Sequence, residues 1–244
     1  SGIVSYILTK RLSPVQKPMY FTNSSISPNG EYLVFYTHFP PSKGGFLAML
    51  SLNPEDPWIE FYPETRGAGI PMFAPDSSGL YFMLGTRLCF KPIRGETKVI
   101  GSIPEDYIKG RYLYRNVTHL SLSADGKWFL GDGEVGDDTF IYLMDAKTGE
   151  FKLLHEFNYR HNHAAFSTVN PKQFLIPRDW RRDASTGKYE FMENRLYVMD
   201  VDQTYYRSLN PDFWEGKDGD TAHEWWSQEP GRYRMLRGIQ PRRL

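Results

Sequence analysis

The sequence has a single cysteine, Cys89. No disulfide can form within the chain, and a Cys-rich structural zinc site is excluded. Cys89 sits in an apolar, strand-like run and reads as a buried core residue. A lone thiol fits a reducing, cytoplasmic compartment, and a mature periplasmic or secreted chain would look the same. Net charge is missing too, with 29 basic residues set against 29 acidic ones. The chain therefore has no general attraction for nucleic acid or an anionic membrane surface. Its Arg-rich stretch from Arg232 to Arg243 reads as a solvated tail. There is no run of about 18 apolar residues, so no helix is expected to span a membrane. The opening "SGIVSYILTK" lacks the basic flank and long apolar centre of a signal peptide. Gly-rich phosphate loops, nucleophile elbows and His-Glu-x-x-His helices are absent as motifs. Long helix-period patterns are scarce as well.

Aromatic residues and turn formers are plentiful. Aromatics make up 16% of the chain, beside 21 glycines and 17 prolines. This is the composition of many short strands joined by tight turns. One pattern recurs in "SISPNGEYLVFY" from Ser25, "MFAPDSSGLYFML" from Met72, "LSLSADGKWFLGDG" from Leu120 and "AAFSTVNPKQFLIP" from Ala164. Each is a short strand, a turn rich in Ser, Asp, Asn or Gly, and a second apolar strand. Such residues tolerate the left-handed backbone that hairpin turns need. A further strand–turn–strand follows in "GFLAMLSLNPED" (45–56), "FIYLMDAKTGEFKLL" (140–154) and "NRLYVMDVDQTYYRSL" (194–209). Four strands per unit, at spacings of roughly 45–50 residues, predict an all-β fold of β-propeller blades. About four blades are complete and a fifth begins at "TAHEWWSQEPGRYRML". The expectation is one propeller domain over residues 1–244 that lacks its C-terminal blades.

The units align on the first turn residue: Ser27, Ala74, Ser123, Ser167 and Ser227. Four positions earlier stand Asn23, Ile70, His119, His163 and His223. Three successive units thus carry histidine at one place. The first strand of a propeller blade lies beside the central channel, so these imidazoles are expected to converge at its mouth. Histidine there suits a base or a metal ligand; the structural alternative is an imidazole bonded to backbone at a strand start. His161 should point to the strand face opposite His163. His38 and His155 read as surface or strand residues. "GDGEVGDD" (131–138) gathers Asp132, Glu134, Asp137 and Asp138, without the ligand spacing of a known calcium loop, and reads as a solvated turn. "PRDWRRD" (177–183) sets Arg178, Arg181 and Arg182 around Trp180. It fits either a surface turn or a platform for a carboxylate and a stacked sugar.

The segment "NHAAFSTVNPKQFLI…NRLYVMDVD", followed by "TAHEWWS", resembles the oligogalacturonate lyases, seven-bladed propellers that cleave short pectin fragments. In that family a histidine opens a similar strand, an Arg-containing strand follows, and a Thr-His-Glu-Phe-Trp motif comes next. The resemblance implies that His163 is the catalytic base and that His223 is one ligand of a catalytic manganese ion. Arg195 or Arg178 would then stand near the substrate carboxylate; His119, which has no counterpart in that family, is placed by its register alone and would support the leaving group or the substrate. Two departures are clear. The family's Gln-x-x-His-x-His ligands have no match after Trp226, where "GIQPRRL" offers Gln without His. A Cys-His-Glu-Gly segment of the family is "IPRDW" here.

The implied reaction is β-elimination on an acidic oligosaccharide. The C5 proton is weakly acidic because its removal adds charge beside a carboxylate. A divalent cation or an arginine would offset that charge. A neutral imidazole, with an ordinary pKa of about 6.5, would accept the proton. Two other readings share this sequence: a lyase for another uronate polymer such as ulvan, and a non-catalytic propeller that binds sugar or protein.

Overall fold

The serines that mark the repeat are pivots of the first turn. Ser123 is buried; its hydroxyl donates to Asp125 Oδ1 at 2.6 Å and accepts the Trp128 N–H at 2.9 Å. Ser27 does the same with Asn29 and Tyr32, at 2.7 and 2.9 Å. Ser167 accepts the Asn170 N–H at 3.1 Å. A short side chain that closes its own turn, followed by a largely apolar strand, returns the chain antiparallel.

The structure is a computed structural model and describes residues 2–42, 44–179, 186–188, 194–209, 220–227 and 233–238. Strands β1 (Val15–Lys17), β2 (Tyr32–His38), β3 (Phe46–Ser51) and β4 (Ile59–Tyr62) form one antiparallel sheet in that order. The next sheet has the order β5 (Met72–Phe73), β6 (Gly79–Leu84), β7 (Arg87–Pro92) and β8 (Lys98–Ser102). In the third sheet, β9 (Leu113–Asn116) and β10 (Ser121–Leu122) both pair with β11 (Trp128–Val135), which is followed by β12 (Asp138–Asp145) and β13 (Phe151–Phe157). The fourth is β14 (Ala165–Phe166), β15 (Gln173–Leu175), β16 (Tyr197–Asp200) and β17 (Tyr206–Ser208). A hairpin of β18 (Asp220–Trp226) and β19 (Tyr233–Gly238) begins a fifth. Part of the Arg-rich stretch expected as a solvated tail is therefore a strand, β19, because it pairs with the aromatic strand β18. The remainder of that stretch lies outside the described residues.

The chain divides into two compact units, Ser1–Gly85 with Cys89–Lys98 and Thr86–Leu88 with Val99–Leu244. In the first unit Met19, Val34, Leu47, Met49, Tyr62, Phe73 and Leu80 form a buried cluster. In the second, Leu130, Ile141, Leu143, Leu154, Phe166, Phe174, Ile176 and Met199 fill the space between the third and fourth sheets. Cys89 is buried, as its apolar setting implies.

"GDGEVGDD" is not the solvated turn expected from its composition. Residues 131–135 belong to β11, and only the Gly136–Asp137 pair turns. Gly131 and Gly133 stand opposite Tyr142 and Phe140, whose rings occupy the space a side chain would need. The glycines make room for aromatic rings across the strand pair, and Asp132 between them is buried.

The second unit contains the feature that builds the site. In each of its three innermost strands the pairing breaks at a residue with left-handed backbone. Between β9 and β10 this is Val117, with φ of 65°. Between the His161–Arg178 bridge and β14 it is His163, with φ of 54°. Within β18, at the bulge between Ala222 and Trp225, it is His223, with φ of 55°. β10 lies against β14 and β14 against β18, so the three breaks belong to neighbouring strands.

Candidate active site

A residue with a side chain in the left-handed region costs about 1–2 kcal/mol. His163 is held in it from both sides. Its N–H donates to Thr118 Oγ1 at 3.3 Å. Thr118 is in turn pinned to Asp132: its N–H reaches Oδ1 at 2.6 Å and its hydroxyl reaches Oδ2 at 2.7 Å. Arg115 completes this support. It bonds Asp132 Oδ2 at 3.1 Å, Glu134 at 2.9 Å and the His161 carbonyl at 3.0 Å, and its Nη1 also meets the Thr118 hydroxyl. Burial alone would raise the Asp132 pKa; Arg115 and the Thr118 donors overcome this and hold it below the usual carboxylate range. On the other side, Asn162 donates to Asp179 Oδ2 at 2.6 Å and to the Pro177 carbonyl at 3.1 Å.

The side chain of His163 is 20% exposed, and its Nδ1 lies 3.5 Å from Glu224 Oε1. Glu224 is buried in the bulge of β18. Arg195 binds it through Nη2 to Oε1 at 3.2 Å and Nε to Oε2 at 3.5 Å. The Nη1 of Arg195 binds Asp179 Oδ1 and the Arg178 carbonyl, each at 3.1 Å. Burial would push the Glu224 carboxyl up, but the His163 and Arg195 hydrogen bonds and charges hold it down at about 2.

His119 packs its ring against His163, with centroids 5.8 Å apart. It is 4% exposed, and its Nδ1 has no hydrogen-bond partner among the described residues. Burial lowers its pKa to about 4, so the ring is neutral near pH 7. Although His119 shares the count from the turn serine, the left-handed residue of its strand is Val117, two positions earlier. The structure brings His119 and His163 together. From β18, it is Glu224 that reaches His163, and the neighbouring His223 is exposed.

His161 points away from this group. Its Nδ1–H donates to the Pro177 carbonyl at 3.1 Å, and its ring packs on Phe157 at 4.3 Å and edge-on to Tyr206 at 6.3 Å. Burial holds its pKa down at about 3. Arg178 lies in the same aromatic layer, with its guanidinium 4.1 Å from the Tyr159 ring. Its backbone, not its guanidinium, meets Arg195. Trp180, Arg181 and Arg182 lie outside the described residues.

Glu224, Thr118, Asp179 and Arg115 were not singled out from sequence. A signal existed for Glu224 alone: it is the one acidic residue within the aromatic "HEWW" run. Among the described residues, no three His, Cys, Asp or Glu side chains are grouped so as to hold a metal ion. His223 offers one imidazole, and the described residues do not complete a cation site around it.

Sheets of four antiparallel strands in sequence order, repeated along the chain with almost no helix, define a β-propeller. Among solved structures, the chain is similar to an oligogalacturonate lyase in complex with manganese. The TM-score is 0.67 at 17% identity, covering 86% of this chain and 57% of that one. An oligogalacturonate lyase from Vibrio parahaemolyticus gives 0.69 at 14%, covering 90% and 58%. A prolyl endopeptidase structure gives 0.56 at 13%, covering 86% and 30%. The chain thus spans somewhat over half the length of the lyase structures it matches. The likeness is one of fold, and that fold serves different activities. No protein-family profile and no curated protein sequence matches the chain.

Proposed function

We propose that this propeller is a polysaccharide lyase that cleaves uronate-containing oligosaccharides, oligogalacturonate foremost, by β-elimination. The reading is carried by the His163–Glu224 pair: a partly exposed imidazole, in a strained backbone conformation, whose Nδ1 faces a buried carboxylate at 3.5 Å. A carboxylate at Nδ1 favours the tautomer that keeps the basic lone pair on Nε2. That nitrogen takes the C5 proton. The C5–H electron pair becomes the C4–C5 double bond, and the C4–O bond breaks with its pair on the departing oxygen, which is protonated from solvent.

The other site residues take roles that follow from their surroundings. Arg195, closed in by Glu224 and Asp179, serves the site by holding Glu224. His119, shut off from solvent, packs behind His163 and keeps that side of the ring uncharged. Arg178, stacked on Tyr159, belongs to a flanking wall. Manganese at His223 is the cofactor reading; a bound cation would draw charge from the uronate carboxylate. Because the described residues supply one ligand only, the steps above use side chains alone. No helix among the described residues is long and apolar enough to cross a membrane.

The departure at "IPRDW" favours a second reading within the same chemistry, a different uronate polymer. A panel of oligogalacturonate, ulvan and a neutral glucan, read by the ultraviolet absorbance of the conjugated product, decides between them. Absorbance with oligogalacturonate supports the first reading and with ulvan alone the second. No absorbance with any uronate removes the lyase and leaves a binding propeller.

A further inference from the structure

We infer that Glu224 is a positioning residue that fixes the ring orientation and tautomer of His163, and that Arg195 and Asp179 hold Glu224 in place for this. The reaction it serves rests on the lyase reading above; the orientation itself does not. The residues form a closed ring. It runs from His163 Nδ1 to Glu224 at 3.5 Å, to Arg195 at 3.2 Å, to Asp179 at 3.1 Å and to Asn162 at 2.6 Å. Asn162 immediately precedes His163, so the ring ends on the backbone where it began. Glu224, Arg195 and Asn162 are each at most 8% exposed. Salt screening and side-chain entropy, which weaken surface pairs, act little here.

The backbone and the imidazole are fixed separately. Thr118 and Asn162 hold the left-handed turn that sets the direction of the His163 Cα–Cβ bond. Glu224 then limits rotation of the ring. Both of its oxygens face Arg195, so it is not a carboxylate waiting for a proton from substrate. Its place in a bulge explains how it arrives. Regular alternation would send His223 and Glu224 to opposite faces, and the register shift between Ala222 and Trp225 re-aims them.

The test is long-range proton–nitrogen NMR of the His163 imidazole in its neutral form, in the wild type, Glu224→Gln and Asp179→Asn. The wild type should carry its proton on Nδ1. Glu224→Gln should give a mixture of tautomers. With oligogalacturonate, its kcat should fall by roughly 10²-fold while KM changes by less than about threefold. Asp179→Asn, which loosens the far end of Arg195 and the Asn162 contact but leaves the Arg195–Glu224 pair in place, should move both readouts the same way by less, and it serves if Glu224→Gln does not fold. A wild-type proton on Nε2, or an unchanged tautomer in the folded variants, overturns the assignment even if activity falls. If the wild type cleaves no uronate, the lyase reading fails, and the tautomers still decide whether Glu224 orients His163.

Discussion

The imidazoles of His119 and His163 lie 5.8 Å apart, centre to centre, with their planes tilted by 58°. Only His163 is open to solvent, and this asymmetry assigns them different tasks. His119→Phe keeps a ring of similar volume in a buried place. Its cleavage rate is expected to stay within roughly tenfold of the wild type. Initial rates at saturating substrate check this; loss as deep as that of a His163 variant would put His119 in proton transfer.

His163→Gly should separate stability from function. Glycine adopts the left-handed backbone without the penalty that a side chain incurs, about 1 kcal/mol. The variant loses the imidazole contact with Glu224, but Arg195 still balances that carboxylate. Urea unfolding should therefore place it within about 1 kcal/mol of the wild type, while activity disappears.

Stability should fall on acidification, starting near neutrality. His119 and His161 have folded pKa values held down at about 4 and about 3 by burial. The unfolded chain binds protons at both positions from about pH 6.5 downward, while the folded chain does not. The stabilisation is complete above the unfolded value and drains away as pH falls toward the folded values. At roughly 1.4 kcal/mol per unit, each histidine accounts for several kcal/mol. Unfolding midpoints from neutral to mildly acidic pH measure this. His161→Gln should flatten the slope in that window.

Asp132 holds the strand break open from the other side. It accepts bonds from the Thr118 N–H, the Thr118 hydroxyl and Arg115, and it is 1% exposed. Asp132→Ala leaves those donors without their acceptor in a buried place. A loss of about 3 kcal/mol is expected. Denaturant unfolding reads it directly.

Much of the architecture is legible in the sequence because its cause is local. Ser27, Ser123 and Ser167 close their own turns, and each is followed by a largely apolar strand. The histidine spacing is legible for the same reason, since it counts back from those serines. What escaped depends on pairing between distant segments. "GDGEVGDD" has the composition of a turn, but Gly131 and Gly133 are there for the rings of Tyr142 and Phe140, and Asp132 and Glu134 meet Arg115 and Arg160. Glu224 escaped because strand alternation puts it opposite His223, and only the bulge turns it toward His163. Arg195 and Asp179 meet across 16 residues of chain, a pairing without a sequence pattern.

If His163 removes the C5 proton of a uronate, its replacement must stop the formation of unsaturated product. The most direct measurement is the time course of ultraviolet absorbance with oligogalacturonate, for the wild type and for His163→Asn, with products identified by mass. Asparagine tolerates the left-handed backbone, so the fold is kept and only the base is lost. Unsaturated products are expected from the wild type and none above background from the folded variant. Unsaturated products from both, at equal rates, would contradict that role for His163.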